Sequence, residues 1–260
     1  MCSSDLAKLP VSVVLLTRNE EQNVRDCLQS CDFASELIVV DDGSMDRTVR
    51  IAQELGGKVF HRSLAGDWGA QKTFGIEQAS QPWVLLIDAD ERVTPQLREA
   101  IQQVLSHPEN KRAYKIQRQN HFVTGKAQHG ILRPDWVLRL LPRENASVEG
   151  KVHESVVTPY PVEKLKGYLI HYPYSSWDAY FLKFDKYTKT AAEKYLAEGR
   201  DCHFISDILL RPVWAFIKVF FLNRGFLDGK LGFIFSVNHY FYTLAKYVRF
   251  YYLKNHGGKI

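Results

Sequence analysis

Val39-Val40-Asp41-Asp42-Gly43-Ser44 and Leu86-Ile87-Asp88-Ala89-Asp90-Glu91 decide how this chain reads. Each is a short apolar run that breaks off in carboxylates. A run apolar at every position suits a strand buried on both faces of a parallel sheet. In an open α/β sheet, ligands bind in the crevice beyond the strand C-termini. Carboxylates at the end of an apolar strand are costly unless a cation or a hydrogen-bonding ligand meets them. A divalent metal and a nucleotide would do both.

Working outward, strands are expected at 11–16, 37–40, 58–61 and 83–87, each followed by a helical pattern. Asn19 can cap the first helix, whose apolar face is Val24, Cys27, Leu28 and Cys31. Gly43-Ser44 turns the chain into a second helix that Gly56-Gly57 stops. Thr94-Pro95 opens a helix in the favoured cap-then-proline order. Four strand–helix alternations imply a right-handed, parallel βαβ sheet with helices on both faces. From residue 112 the pattern changes to strands at 113–119, 136–142, 151–157 and 167–172, expected to extend the sheet as a mixed or antiparallel edge. From Ser175 the chain reads as helical, with Tyr180, Phe184, Tyr187, Ala191 and Tyr195 on one stripe. The expected division is a catalytic domain at 1–174, split into halves at 10–110 and 111–174, and a helical region at 175–260.

The charge balance is local. The net charge is +5 over 260 residues, whereas 200–260 alone carries +6, with nine Lys/Arg against three Asp/Glu, and holds 15 of the 33 aromatics. The apolar stretches there, 213–222 and 231–253, are respectively too short to span a bilayer and interrupted by Asn238, His239, Lys246 and Arg249. Basic, aromatic-rich helices of this kind suit an anionic membrane surface, as a membrane-associating extension. No basic run or single-strand-binding motif points to nucleic acid. Cys27 and Cys31, one helical turn apart on an apolar stripe, read as buried core thiols. No disulfide framework is evident and no secretory leader is expected, which fits a reducing cytoplasm.

Thr17-Arg18-Asn19-Glu20-Glu21, the Asp41-Asp42-Gly43-Ser44-Met45-Asp46-Arg47-Thr48 stretch and Asp88-Ala89-Asp90-Glu91, in that order, resemble the family 2 glycosyltransferases of GT-A fold. Pro134-Asp135-Trp136-Val137-Leu138-Arg139-Leu140, Val152-His153-Glu154 and the 180–192 helix look more specifically like the lipopolysaccharide core β-1,4-glucosyltransferases of the WaaE type. The resemblance implies a Rossmann-like, mostly parallel sheet and a nucleotide-sugar site formed by Thr17, Asn19, Glu20, Asp41, Asp42, Ser44, Gln71, Lys72 and Asp88.

Asp41 and Asp42 would read uracil and ribose. Asp88 and Asp90 share a face of one strand end. By the resemblance, Asp90 coordinates Mg²⁺ or Mn²⁺, while Asp88 meets the ribose or the metal through water. The Glu-Asp dipeptide that many members use as base is absent. Glu154 is the expected base, with Glu91, Asp135 and Glu149 as competitors, and His153 a metal or diphosphate ligand. Gln-x-x-Arg-Trp, the mark of processive synthases, is also absent, which favours a single transfer. Arg133, Asp135, Trp136 and Arg139 are candidates for the acceptor side, where Arg suits a phosphorylated or carboxylated group.

The expected activity moves one hexose, glucose foremost, with inversion from a UDP-sugar to the heptose inner core of lipopolysaccharide or lipooligosaccharide. The acceptor would be a lipid-linked saccharide at the inner face of a bacterial inner membrane. Transfer to polyprenyl phosphate or to a peptide side chain, and a non-catalytic nucleotide-sugar-binding protein, are the alternatives.

Overall fold

The apolar run after Pro10 forms β1 (Leu9–Thr17) in a computed structural model of the chain, which describes residues 8–133, 135–151 and 154–259. β2 (Ala34–Asp41) lies on one side of β1 and β4 (Trp83–Asp88) on the other, both parallel to it. Both faces of β1 are covered, which is why its sequence does not alternate. Val13 and Leu15 enter one core with α1 (Val24–Ser30), α2 (Thr48–Glu54) and α4 (Pro95–Leu105). Val14 enters the other with Ile76 of α3 (Trp68–Gln78) and Val148 of β9 (Ser147–Glu149). Helices therefore cover both faces, as expected. Each fully buried Leu or Ile in these layers contributes about 1.5–3 kcal/mol. Gly75 lets α3 close on β1, since a Cβ there would lie 2.4 Å from Val14 Cγ1.

β3 (Lys58–His61) continues the parallel order beside β2. On the far side of β4 the sheet turns mixed: β8 (Asp135–Pro142) is antiparallel to β4, and β6 (Ala113–Phe122) is antiparallel to β8. β11 (Val162–His171) follows, with β5 (Glu91–Val93) antiparallel to it at the edge. β5 was not anticipated, because three residues carry no readable periodicity. The expected strand at 151–157 is not one strand: β10 (Ser155–Val157) pairs with β9 as a separate hairpin, and Val152 and His153 lie outside the described residues.

Asn19 does not cap the first helix. It takes a left-handed φ of 55° and its Oδ1 accepts from Met45 N at 2.8 Å, while α1 starts only at Val24. Thr94 does cap α4, accepting from Leu97 N with Pro95 next in line.

The chain divides into two compact units, one comprising residues up to 118 with 135–171 and the other 119–134 with 172 onward. In the second, β7 (Gly125–Ala127) pairs with the last residues of β6, and α5 (Trp177–Ala197) begins at the Ser176 cap. A π-wound turn at Phe204–Leu210 leads into α6 (Arg211–Ile217), and α7 (Gly229–His256) is the last helix among the described residues. The stripe that α5 buries differs from the expected one: Tyr180, Thr188 and Ala192 face inward, while Tyr187 is exposed. Thr188 is tolerated there because its hydroxyl bonds the carbonyl oxygens of Phe184 and Asp185. Among the described residues no helix is long and apolar enough to cross a membrane.

Candidate active site

The register of the sheet assembles the site. Thr17 pairs with Asp41 and Leu16 with Asp88, so the ends of β1, β2 and β4 stop at one level and present both acidic clusters along one edge. Asp41 is 1% exposed and fully engaged: Thr17 Oγ1 donates to its Oδ1 at 3.0 Å, and Ser44 N to its Oδ2 at 2.8 Å. Ser44 Oγ in turn accepts from Asn19 N at 2.9 Å. Asp42 accepts from Leu64 N and pairs with Arg18, both at 2.8 Å. Glu20 is tied to the same loops through its own N–H to Thr48 Oγ1 at 2.7 Å and through Asn23 Nδ2 at 2.9 Å. Thr17, Asn19, Glu20, Asp41, Asp42 and Ser44 thus form one neighbourhood, in which Asp41 acts as the buttress holding the loop shape.

Of the second cluster, Asp88 lines a cleft of about 600 Å³, together with Lys72, Arg118, Trp136, Arg139 and Glu154. That volume is in the range of small-molecule sites. Lys72, from α3, places its Nζ 2.8 Å from Glu154 Oε1 and 3.5 Å from Asp88 Oδ1. Arg139, 5% exposed, bridges Asp88 and Glu91, the latter at 2.8 Å. Glu91 is fully buried; its Oε2 also accepts from Asp88 N at 2.9 Å, and Arg118 stands 3.6 Å away. Burial pushes the Asp88 carboxyl up, but the charges of Arg139 and then Lys72 outweigh it and hold the group well below the ordinary carboxylate range. Burial raises Glu91, against the pull of Arg139. The two carboxylates hold Arg139 firmly charged against the effect of its own burial.

Gln71 donates to Arg62 O at 2.7 Å, but its Oε1 is buried without a partner among the described residues, as is Arg139 Nε. Buried polar atoms are rarely left so; Arg139 lines the cleft, and Gln71 precedes Lys72 on α3. Asp90, about a third exposed, has His171 Nε2 at 3.5 Å. Sequence reasoning did not single out His171; the one signal was an apolar strand ending in histidine.

Of the remaining described candidates, Trp136 alone lines the cleft. Asp135 takes Arg118 Nε at 3.0 Å, and Trp136 stacks under Lys164, whose Nζ lies 4.6 Å from the ring centre. Arg133 is exposed in the second unit, and Glu149 is exposed at the end of β9. His153 lies outside the described residues. Among the competing carboxylates, Glu91 is sealed in the interior while Glu154 keeps 30% of its side chain exposed on the cleft. Cys27 and Cys31 are buried, and burial pushes the Cys31 thiol up to about 12.

The chain is similar to the lipopolysaccharide core biosynthesis glycosyltransferase LpsC of Rhizobium meliloti, at 30% identity over 93% of each chain. Among solved structures it is similar to Staphylococcus aureus TarS (residues 1–349), at 16% identity over 90% of this chain and 80% of that one, TM-score 0.46. It is also similar to the glucosyl-3-phosphoglycerate synthase of Mycobacterium tuberculosis, crystallised with Mn²⁺, UDP and glucosyl-3-phosphoglycerate, at 24% identity over 44% of each chain, TM-score 0.36. The model of glycosyl transferase family 2 matches residues 12–152, the span that carries both strand-end acid clusters, Lys72 and Arg139, and to that family the chain belongs.

Proposed function

We propose that this family 2 glycosyltransferase moves one hexose, glucose foremost, from a UDP-sugar to a heptose of the lipopolysaccharide inner core, with inversion and with a divalent cation. The observation that carries the reading is the meeting of Asp88, Lys72 and Glu154 on one cleft beside the aligned ends of β1, β2 and β4. Similarity to LpsC over nearly the whole chain supports the lipopolysaccharide acceptor.

In this reading Asp42 and Glu20 face the nucleoside, and the Asp41 network keeps their loop in place. Lys72 is a point charge suited to the diphosphate. Gln71 Oε1, buried and unpartnered, offers an acceptor for a donor-sugar or ribose hydroxyl. Glu154, on the cleft beside Lys72, takes the proton from the attacking hydroxyl, a role worth roughly 10²–10⁴-fold.

The donor set suits a hard cation. Asp90 supplies a partly exposed carboxylate with an imidazole beside it, and Asp88 remains ionised. Among the described residues no three His, Cys, Asp or Glu side chains converge, and Mg²⁺ in particular keeps waters and phosphate oxygens as ligands and needs only one or two carboxylates. Asp90 would hold the ion, which when bound would supply Lewis-acid stabilisation of the departing diphosphate.

The test is donor hydrolysis and transfer across nucleotide sugars, with Mg²⁺ and Mn²⁺ in parallel and a truncated lipopolysaccharide ending in inner-core heptose as acceptor. UDP-glucose turnover stimulated by that acceptor is expected. Turnover only with polyprenyl phosphate or a peptide would move the acceptor assignment.

A further inference from the structure

The helical run at 204–222 of the second unit leaves a stripe uncovered. Leu210, Val213, Trp214, Ile217 and Phe221 are 37–61% exposed, while Pro212, Ala215 and Val219 between them are buried. Spacings of three and four residues put the exposed five on one helix face. Phe226, Leu227, Phe233 and Ile234 enlarge the uncovered surface, each exposed. Phe233 meets Phe216 and Phe220 edge-on at 6.2 and 5.8 Å, and Phe226 meets Phe220 at 6.3 Å, so the surface is continuous. Apolar patches of this extent mark interaction surfaces.

The charges of 204–234 are sorted by sign. Arg211, Lys218, Arg224 and Lys230 are exposed, whereas the two acids, Asp207 and Asp228, are drawn inward. Asp207 accepts from His203 N at 2.7 Å and pairs with Arg211; Asp228 is held by the His129 ring at 2.7 Å. The face is thus apolar with a cationic rim and no exposed carboxylate in this stretch. Arg211, which opens α6, and Lys218, which follows it, are seven residues apart and border the apolar stripe on one side, as on a helix that lies in a lipid interface.

We propose that this face docks the protein on an anionic lipid leaflet, with Trp214 and Phe221 at headgroup depth and Lys218, Arg224 and Lys230 toward the lipid phosphates. A second copy is the other occupant of comparable shape. Self-pairing through this face would set like-charged rims against each other, which favours lipid. The proposal narrows the membrane-facing part of the C-terminal region to 204–234, because Tyr247 and Phe250 farther along α7 are buried with Ala192 of α5. It stands on the surface alone and does not depend on the acceptor.

Flotation of the full chain with vesicles of phosphatidylcholine, alone or mixed with phosphatidylglycerol, tests it. The protein should float with the mixed vesicles and not with the neutral ones. Lys218→Glu with Lys230→Glu should weaken that partitioning at least about tenfold, and Trp214→Glu with Phe221→Glu should abolish it, circular dichroism remaining unchanged in both. Equal flotation on both vesicle types, flotation unaffected by either pair, or no flotation at all overturns the proposal. So does a dimer in analytical ultracentrifugation that the Trp214 and Phe221 changes dissolve without affecting flotation.

Discussion

Lys72 Nζ stands 2.8 Å from Glu154 Oε1, joining a helix on one face of the sheet to the segment just before β10. The same ammonium is 3.5 Å from Asp88, so one flexible cation sits between the donor-side carboxylate and the proposed base. Lys72→Ala should lower kcat/KM roughly 10–10²-fold, the worth of a charge-assisted hydrogen bond of about 1.5–3 kcal/mol. Steady-state kinetics over a range of UDP-glucose concentrations checks it. Wild-type values would remove Lys72 from the reaction.

Glu154→Gln separates chemistry from binding. The amide keeps an oxygen to accept from Lys72 but cannot take a proton. We expect kcat to fall roughly 10²–10⁴-fold while UDP affinity, read by calorimetry, stays at the wild-type level. Unchanged turnover would move the base to another carboxylate, with Glu91 the least suited because it is sealed behind Arg139.

Arg139 was read from sequence as an acceptor-side residue, and the structure turns it inward onto Asp88 and Glu91. Arg139→Met should therefore be a stability defect as well as an activity defect. Removing one partner of a buried pair costs about 3–5 kcal/mol because the other charge is left uncompensated. Adding Glu91→Gln should recover part of that loss, with a coupling of about 0.5–3 kcal/mol in a double-mutant cycle by urea denaturation. Additive losses would show that the two do not act as a pair.

Glu36 provides a pH-dependent stability check away from the cleft. Its side chain is 3% exposed; burial raises its pKa, but bonds from Lys58, Ser12 and Ser80 outweigh this and bring it from 4.5 down to about 2. A depressed folded-state pKa means that the stabilisation is complete above the unfolded value and fades as pH falls from about 4.5 toward about 2. Glu36→Gln should cost about 1–3 kcal/mol at pH 7, and the difference from wild type should shrink across that acidic window. A difference independent of pH would contradict the assignment.

The strands that frame the site were legible because each carries its signal within a few residues. β1, β4 and the Leu37–Val40 part of β2 are apolar at nearly every position, and Asp41, Asp42, Asp88 and Asp90 stand out against them. Thr94-Pro95 was legible for the same reason, as a local cap. What stayed hidden depends on partners distant in sequence. Arg139 meets Asp88 and Glu91 only because β8 runs antiparallel to β4, and His171 reaches Asp90 only because β11 pairs with β5. A polar Thr188 inside α5 likewise breaks the apolar periodicity while remaining satisfied by its own helix. Asn19 misled because Asn caps helices and also tolerates left-handed backbone, and here the second property is used.

The central claim is that the strand-end carboxylates bind a uridine diphosphate together with a divalent cation. Titrating UDP into the full chain by calorimetry, with Mn²⁺ present and then with EDTA, tests it most directly, alongside Asp90→Asn. The prediction is binding with Mn²⁺ that weakens at least about tenfold, or about 1.4 kcal/mol, on chelation and equally in the variant. UDP binding of the same strength with and without metal, or no UDP binding at all, would contradict the account.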